Sequence, residues 1–76
     1  MSRSLVLGEP GSGEIWVLRV RRRWIVRVAG EDIAIRGDKG DAISRAFSIA
    51  QLGDDPQEVV IFASDGSVEG RRTFRP

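Results

Sequence analysis

Arginine dominates the chemistry that is open to this chain. Of its twelve lysine and arginine residues only Lys39 is not an arginine, and histidine and cysteine are absent. A guanidinium group binds phosphate through two parallel hydrogen bonds, although a genome rich in G and C gives the same arginine bias without a function. Catalysis by serine–histidine or cysteine–histidine pairs and thiolate metal sites are excluded. The remaining carboxylates, arginines and serines have no recognisable catalytic spacing, so we expect no enzyme, no cofactor and no metal.

The charges are divided along the chain although the net charge is only +1. Basic residues concentrate in residues 1–30 and at the carboxyl end, whereas residues 31–70 carry most of the acidic side chains. The candidate binding residues are the arginines of the first three predicted strands and of the connection between the first two: Arg19, Arg21, Arg22, Arg23, Arg27 and Arg36.

Three strands are predicted around these arginines. Segments 14–20, 24–28 and 33–36 are rich in β-branched and aromatic residues, and their short spacing predicts antiparallel pairing. A two-residue turn favours glycine or asparagine, which the connection Arg21-Arg22-Arg23 lacks. We therefore expect a longer or irregular loop there.

The hydrophobic period changes from two to 3.6 after Gly37. The apolar residues at helical spacing are Ala42, Ile43, Ala46, Phe47, Ile49 and Ala50, which predict a helix over 39–52. Asp38 is expected to cap its amino end and Gly53 to end it. The continuous apolar run 58–63 predicts an internal strand, and Asp65-Gly66 predicts a tight turn into a last strand at 67–74.

These elements predict the α+β class, with a single antiparallel-rich sheet of about five strands, one helix on one face and the order βββαββ. Residues 14–76 are expected to form one domain, and residues 1–13 a flexible arm or short edge strand. No apolar run approaches the roughly 20 residues of a membrane helix, and the first residues are too weakly apolar for a secretory signal. We expect a cytoplasmic protein.

Alternation along the strands predicts which side chains face the helix. The set placed under the helix is Trp16, Leu18, Val20, Trp24, Val26, Val28, Ile33 and Ile35. The set placed on the uncovered side is Arg19, Arg21, Arg27 and Arg36, interleaved with Ile15, Val17 and Ile25.

Three interpretations of this uncovered side stay open. Its arginine stems cover the sheet while their heads remain in water; or a second copy packs on Ile15, Val17 and Ile25; or the arginines bind nucleic-acid phosphates. The favoured hypothesis is a small non-catalytic binding or interaction module of unknown role that uses the uncovered sheet face and can form a homodimer. The alternative is a nucleic-acid-binding module that uses the arginine-rich face and the hairpin tip.

The order of residues from Trp24 onward resembles the small bacterial family catalogued as domain of unknown function 2188. The matching segments are Trp24-Ile25-Val26, Asp38-Lys39-Gly40-Asp41-Ala42-Ile43, Ala46, Ala50, the run from Val59 to Gly66, and Phe74. Members often carry histidine before the Asp-Gly turn and tyrosine at the closing position, where this chain has Phe62 and Phe74. The resemblance implies a three-stranded meander, a helix and a terminal hairpin, and it brings no established activity or functional residues.

Overall fold

The computed structural model describes residues 13–53 and 56–75, which contain five strands and one helix. The elements are β1 Glu14–Val20, β2 Arg23–Val28, β3 Glu31–Arg36, α1 Lys39–Leu52, β4 Gln57–Phe62 and β5 Val68–Phe74. The α+β class and the order βββαββ predicted from the sequence are confirmed. Apart from Gly13, the predicted arm lies outside the described residues.

The five strands form one sheet in the order β3-β2-β1-β4-β5. The β1/β2, β2/β3 and β4/β5 pairs are antiparallel, whereas β1 and β4 are parallel. The chain leaves the edge strand β3, runs through α1 and returns as β4 beside β1. A parallel neighbour requires such a crossover, and α1 supplies it.

The turn between β1 and β2 contains only two residues, because Val20 pairs with Arg23. The expectation of a longer or irregular loop is therefore wrong. Arg21 adopts φ 60°, the left-handed conformation that glycine normally supplies at this position of a hairpin. The Arg21 carbonyl accepts a hydrogen bond of 2.9 Å from Nε of Arg19, which ties the turn to β1.

A bulge interrupts the pairing of β2 with β3. Val26 pairs with Ala34, but the next residue of β2, Arg27, pairs with Asp32. Ile33 is therefore the extra residue of the bulge. Because of this extra residue, the alternation of β3 side chains between the two faces of the sheet shifts by one position there.

The core lies between α1 and one face of the sheet. Three alanines of the helix, Ala42, Ala46 and Ala50, are at most 3% exposed, and the largest fully buried strand residues packed against them are Ile15, Val17, Val26 and Val59. Small helix residues bring the helix close to the sheet, which suits a core built from β-branched side chains.

Both predicted boundaries of the helix are confirmed. Oδ2 of Asp38 accepts a hydrogen bond of 3.1 Å from the Asp41 backbone N–H, which is the expected amino-terminal cap. Gly53 follows the last helical residue with φ −79°, so the helix ends there in extended backbone that any residue can adopt.

Candidate interaction surfaces

The helix covers a different set of β1 and β3 residues from the one predicted. Ile15 and Val17 are 1% and 0% exposed beneath α1, and Ala34 is the β3 residue packed in the same core. The prediction that Trp16, Leu18 and Val20 of β1 and Ile35 of β3 face the helix is therefore wrong. For β2 the prediction is confirmed, because Trp24 and Val26 belong to the core and Val28 packs against it.

The two register features of the sheet explain this correction. With a two-residue turn, Trp24 pairs with Arg19 and not with Val20, so it shares a face with the odd-numbered residues of β1. The bulge at Ile33 then places Ala34, and not Ile33, beside the helix-facing Val26. The short turn thus reverses the faces predicted for β1, and the bulge reverses those predicted for β3.

The sheet face turned away from α1, which we term the open face, is apolar in its middle. Its central side chains are Trp16, Leu18, Ile25, Val60 and Phe62; Ile25 and Val60 are buried at 7% and 2% exposed, and the other three are partly buried. The rings of Trp16 and Phe62 meet edge to face with centroids 4.9 Å apart, and Nε1 of Trp16 donates to Oε1 of Glu14 at 3.1 Å. Ile35 continues the apolar surface toward the edge and is 50% exposed. We predicted that this face would be basic and would carry Ile15 and Val17. Its middle is instead apolar, and Ile15 and Val17 lie on the other face.

Two grooves open on this face. One, of about 620 Å³, has an apolar floor of Val20, Ile25 and Ile35 and a rim formed by Arg21, Arg22 and Arg23. The other, of about 450 Å³, lies where the sheet meets the β4–β5 turn, and its lining includes Trp16, Leu18, Phe62, Asp65 and Gly66. Both are open to solvent, as expected of docking surfaces and not of an enclosed reaction site.

The charges at the Glu14 end of the open face are paired. Arg27 lies on this face as predicted, but its Nε contacts Oδ1 of Asp32 at 2.6 Å. The hydrogen bond to Asp32 raises the pKa of Arg27, and burial opposes that shift. On the same face, across β4 and β5, Nη1 of Arg71 contacts Oε1 of Glu58 at 3.1 Å. Arg27 is therefore held in an ion pair, away from the other candidate arginines.

The other five candidate arginines come together at the opposite end of the sheet, which we term the basic end: Arg19, Arg21, Arg22, Arg23 and Arg36. Arg19 and Arg36 both pair with Trp24 and point to the helix side, so the prediction that they lie on the uncovered side is wrong. Arg23 follows the turn on the open side, and Arg21 and Arg22 form the tip of the hairpin. All five side chains are exposed.

Spacing alone did not reveal the open-face pair of Trp16 and Phe62, because β1 and β4 lie far apart in the chain. The alternation of Trp16 with Ile15 and Val17 in the sequence indicates that both faces of β1 are apolar, and this pattern could have pointed to the open-face pair.

Within residues 13–53 and 56–75, no three metal-ligating side chains converge, and no helix is long and apolar enough to cross a membrane.

Comparison with protein-family profiles, with curated proteins and with solved structures finds no match. The resemblance to the family of unknown function noted above stays a prediction.

Proposed function

We propose that this chain is a non-catalytic interaction module whose open face packs against the open face of a second copy. The observation that carries the proposal is the apolar middle of the open face, over which the described residues place no second layer. An apolar sheet face is normally buried against another layer of secondary structure. A second copy would complete a sandwich of helix, sheet, sheet and helix, with the sheets about 10 Å apart.

A second copy suits this surface better than an unrelated partner for a reason of symmetry. A twofold axis lying between the sheets makes one patch serve both partners, so Leu18 and Trp16 of one copy meet the same apolar patch of the other.

The size of the open face requires that nearly all of it be buried against this partner. Five strands about 4.8 Å apart and about 20 Å long give a projected area on the order of 500 Å². Accessible surface exceeds projected area on a face with side-chain relief, and a stable interface buries roughly 800 Å² on each partner. An aromatic centre within a polar rim is also the usual composition of such interfaces.

Sedimentation equilibrium at rising protein concentration tests the proposal. We expect twice the 8.4 kDa mass of the chain at high micromolar concentration. Leu18→Glu places a charge in the middle of the open face and should return the protein to monomer, because an unpaired charge is costly to bury. The matched control is Leu52→Glu at the end of α1, where the side chain is 83% exposed and lies off the sheet.

The result that would overturn the proposal is a monomer at every concentration, or a dimer that Leu18→Glu leaves intact. Circular dichroism of both variants verifies that the fold is retained. The cytoplasmic location expected from the sequence belongs to the same proposal, and fractionation of cells that express the chain tests it.

A further inference from the structure

We propose that the basic end binds the phosphate backbone of double-stranded DNA, with the β1–β2 hairpin tip directed into the major groove. This goes beyond self-association, because it uses the end of the sheet and the hairpin tip instead of the middle of the open face. The two surfaces can be altered separately.

The first support is the spatial convergence of the five arginines. Arg19, Trp24 and Arg36 are consecutive partners across three strands, which sets the two arginine backbones about 10 Å apart. Arg23 begins β2 beside them, and the two tip arginines project beyond the strands. Five guanidinium groups therefore surround one end of a narrow hairpin.

The second support is that the hairpin arginines keep their charge uncompensated. Among the described residues, Arg21, Arg22 and Arg23 have no acidic side chain within ion-pair distance. The basic side chains elsewhere that do form ion pairs with carboxylates are Arg27, Lys39 and Arg71. An exposed group of like charges at one end of a small domain is the electrostatic footprint of a polyanion partner.

The third support is the shape of the tip. A two-residue turn keeps the strands about 5 Å apart, and the major groove of B-form DNA, about 12 Å wide, admits a two-stranded ribbon. Arg21 occupies φ 60°, where glycine would be less strained, yet the tip of the hairpin carries an arginine side chain there. The hydrogen bond from Arg19 Nε to the Arg21 carbonyl fixes the turn and leaves both Nη groups of Arg19 for phosphate.

Duplex DNA fits this shape better than two other polyanions. The major groove of an A-form RNA duplex is too deep and narrow for side chains to read. A membrane surface favours aromatic or large apolar side chains among the basic ones, whereas the tip residues Arg21 and Arg22 are both polar.

Fluorescence anisotropy with a labelled DNA duplex of about two helical turns tests the proposal. Five phosphate contacts predict a slope of about −4.5 in log affinity against log salt, or a loss of roughly 500-fold between about 50 and 200 mM. The double variant Arg22→Ala, Arg23→Ala should bind at least about tenfold more weakly at low salt, and its slope should lose about 1.8.

The matched control is Arg45→Ala with Arg75→Ala. It removes the same charge from α1 and from the residue after β5, at the opposite end of the sheet, so it should leave the slope unchanged. Leu18→Glu, which breaks the proposed dimer, keeps the basic end, so its salt slope should stay steep. Loss of DNA binding and loss of self-association are thereby distinguished.

Any of four results would overturn the proposal: no binding of duplex DNA at low salt; equal losses in the hairpin and control variants; tighter binding to duplex RNA of the same sequence; or binding confined to vesicles of phosphatidylserine and phosphatidylcholine. Circular dichroism of each variant verifies that a loss of binding is not a loss of fold.

Discussion

Trp16 and Trp24 lie on opposite faces of the sheet although both belong to the β1–β2 hairpin. Trp24 is 8% exposed in the core under α1, where the ammonium of Lys39 lies 5.2 Å from the centre of its ring. Trp16 is half-buried on the open face against Phe62. One indole therefore contributes to the core, and the other to the surface proposed to bind a partner.

Fluorescence quenching separates the two indoles. In Trp16→Phe only Trp24 emits, and we expect acrylamide to quench it weakly at every protein concentration because the helix covers it. In Trp24→Phe only Trp16 emits, and quenching should be strong in dilute protein and weaker as the dimer forms. Equal quenching of both indoles in dilute protein would contradict this assignment of faces.

The spacing between α1 and the sheet depends on Ala46, which is fully buried. Ala46→Leu adds three methylene-sized groups at a fully buried position, so we expect a loss of about 1–3 kcal/mol in the free energy of unfolding. Urea denaturation measures it. Ser48→Leu, at an exposed position of the same helix, is the control and should change stability by less than about 0.5 kcal/mol. Equal effects at the two positions would show that the alanine contact does not limit the packing.

The left-handed backbone of Arg21 predicts an asymmetry between two neighbouring substitutions. Arg21→Gly relieves a conformation that costs about 1 kcal/mol, partly offset by the greater freedom of glycine in the unfolded chain, so stability should hold or rise slightly. Arg22 has no positive φ, so Arg22→Gly should lower the free energy of unfolding by roughly 0.5–1 kcal/mol. Thermal denaturation compares them, and the opposite ranking would contradict the turn geometry.

The β4–β5 turn predicts a pH dependence. The Ser67 hydroxyl and backbone N–H donate to Oδ1 of Asp65 at 2.7 and 2.9 Å and lower the pKa of that carboxyl. Because the pKa of Asp65 is lower in the folded chain, its carboxylate stabilises the fold at any pH above the unfolded-chain pKa of about 3.8. This stabilisation disappears as the pH falls through the pKa of Asp65 in the folded chain.

Ser67→Ala should therefore lower the free energy of unfolding at neutral pH. This loss should shrink as the pH falls below the pKa of Asp65 in the unfolded chain. The effect is small because the carboxyl is exposed. Ser64→Ala, which removes a hydroxyl from the same turn, is the control, because no hydrogen bond of Ser64 occurs among the described residues. Urea titrations of both variants across the acid range measure the difference, and a difference independent of pH would contradict the assignment.

The elements of this fold could be predicted from the sequence because their causes are local. The bounds of β1 and α1, the cap at Asp38 and the Asp65-Gly66 turn agree with the structure. Each depends on residues within a few positions of one another, and a helical period of 3.6 needs no information about partners. The arginine hairpin was likewise visible as a run, and four of the candidate arginines lie between positions 19 and 23.

The faces of the sheet were decided only in three dimensions. Side chains alternate with a period of two, so one residue more or less in a turn reverses every assignment on the next strand. The strained conformation of Arg21 permits the short turn, and the bulge at Ile33 shifts the edge strand again. The sequence by itself determined which residues form strands and helix; the pairing of those strands decided that the tryptophan and leucine of β1 face outward and that Arg27 is separated from the other five arginines.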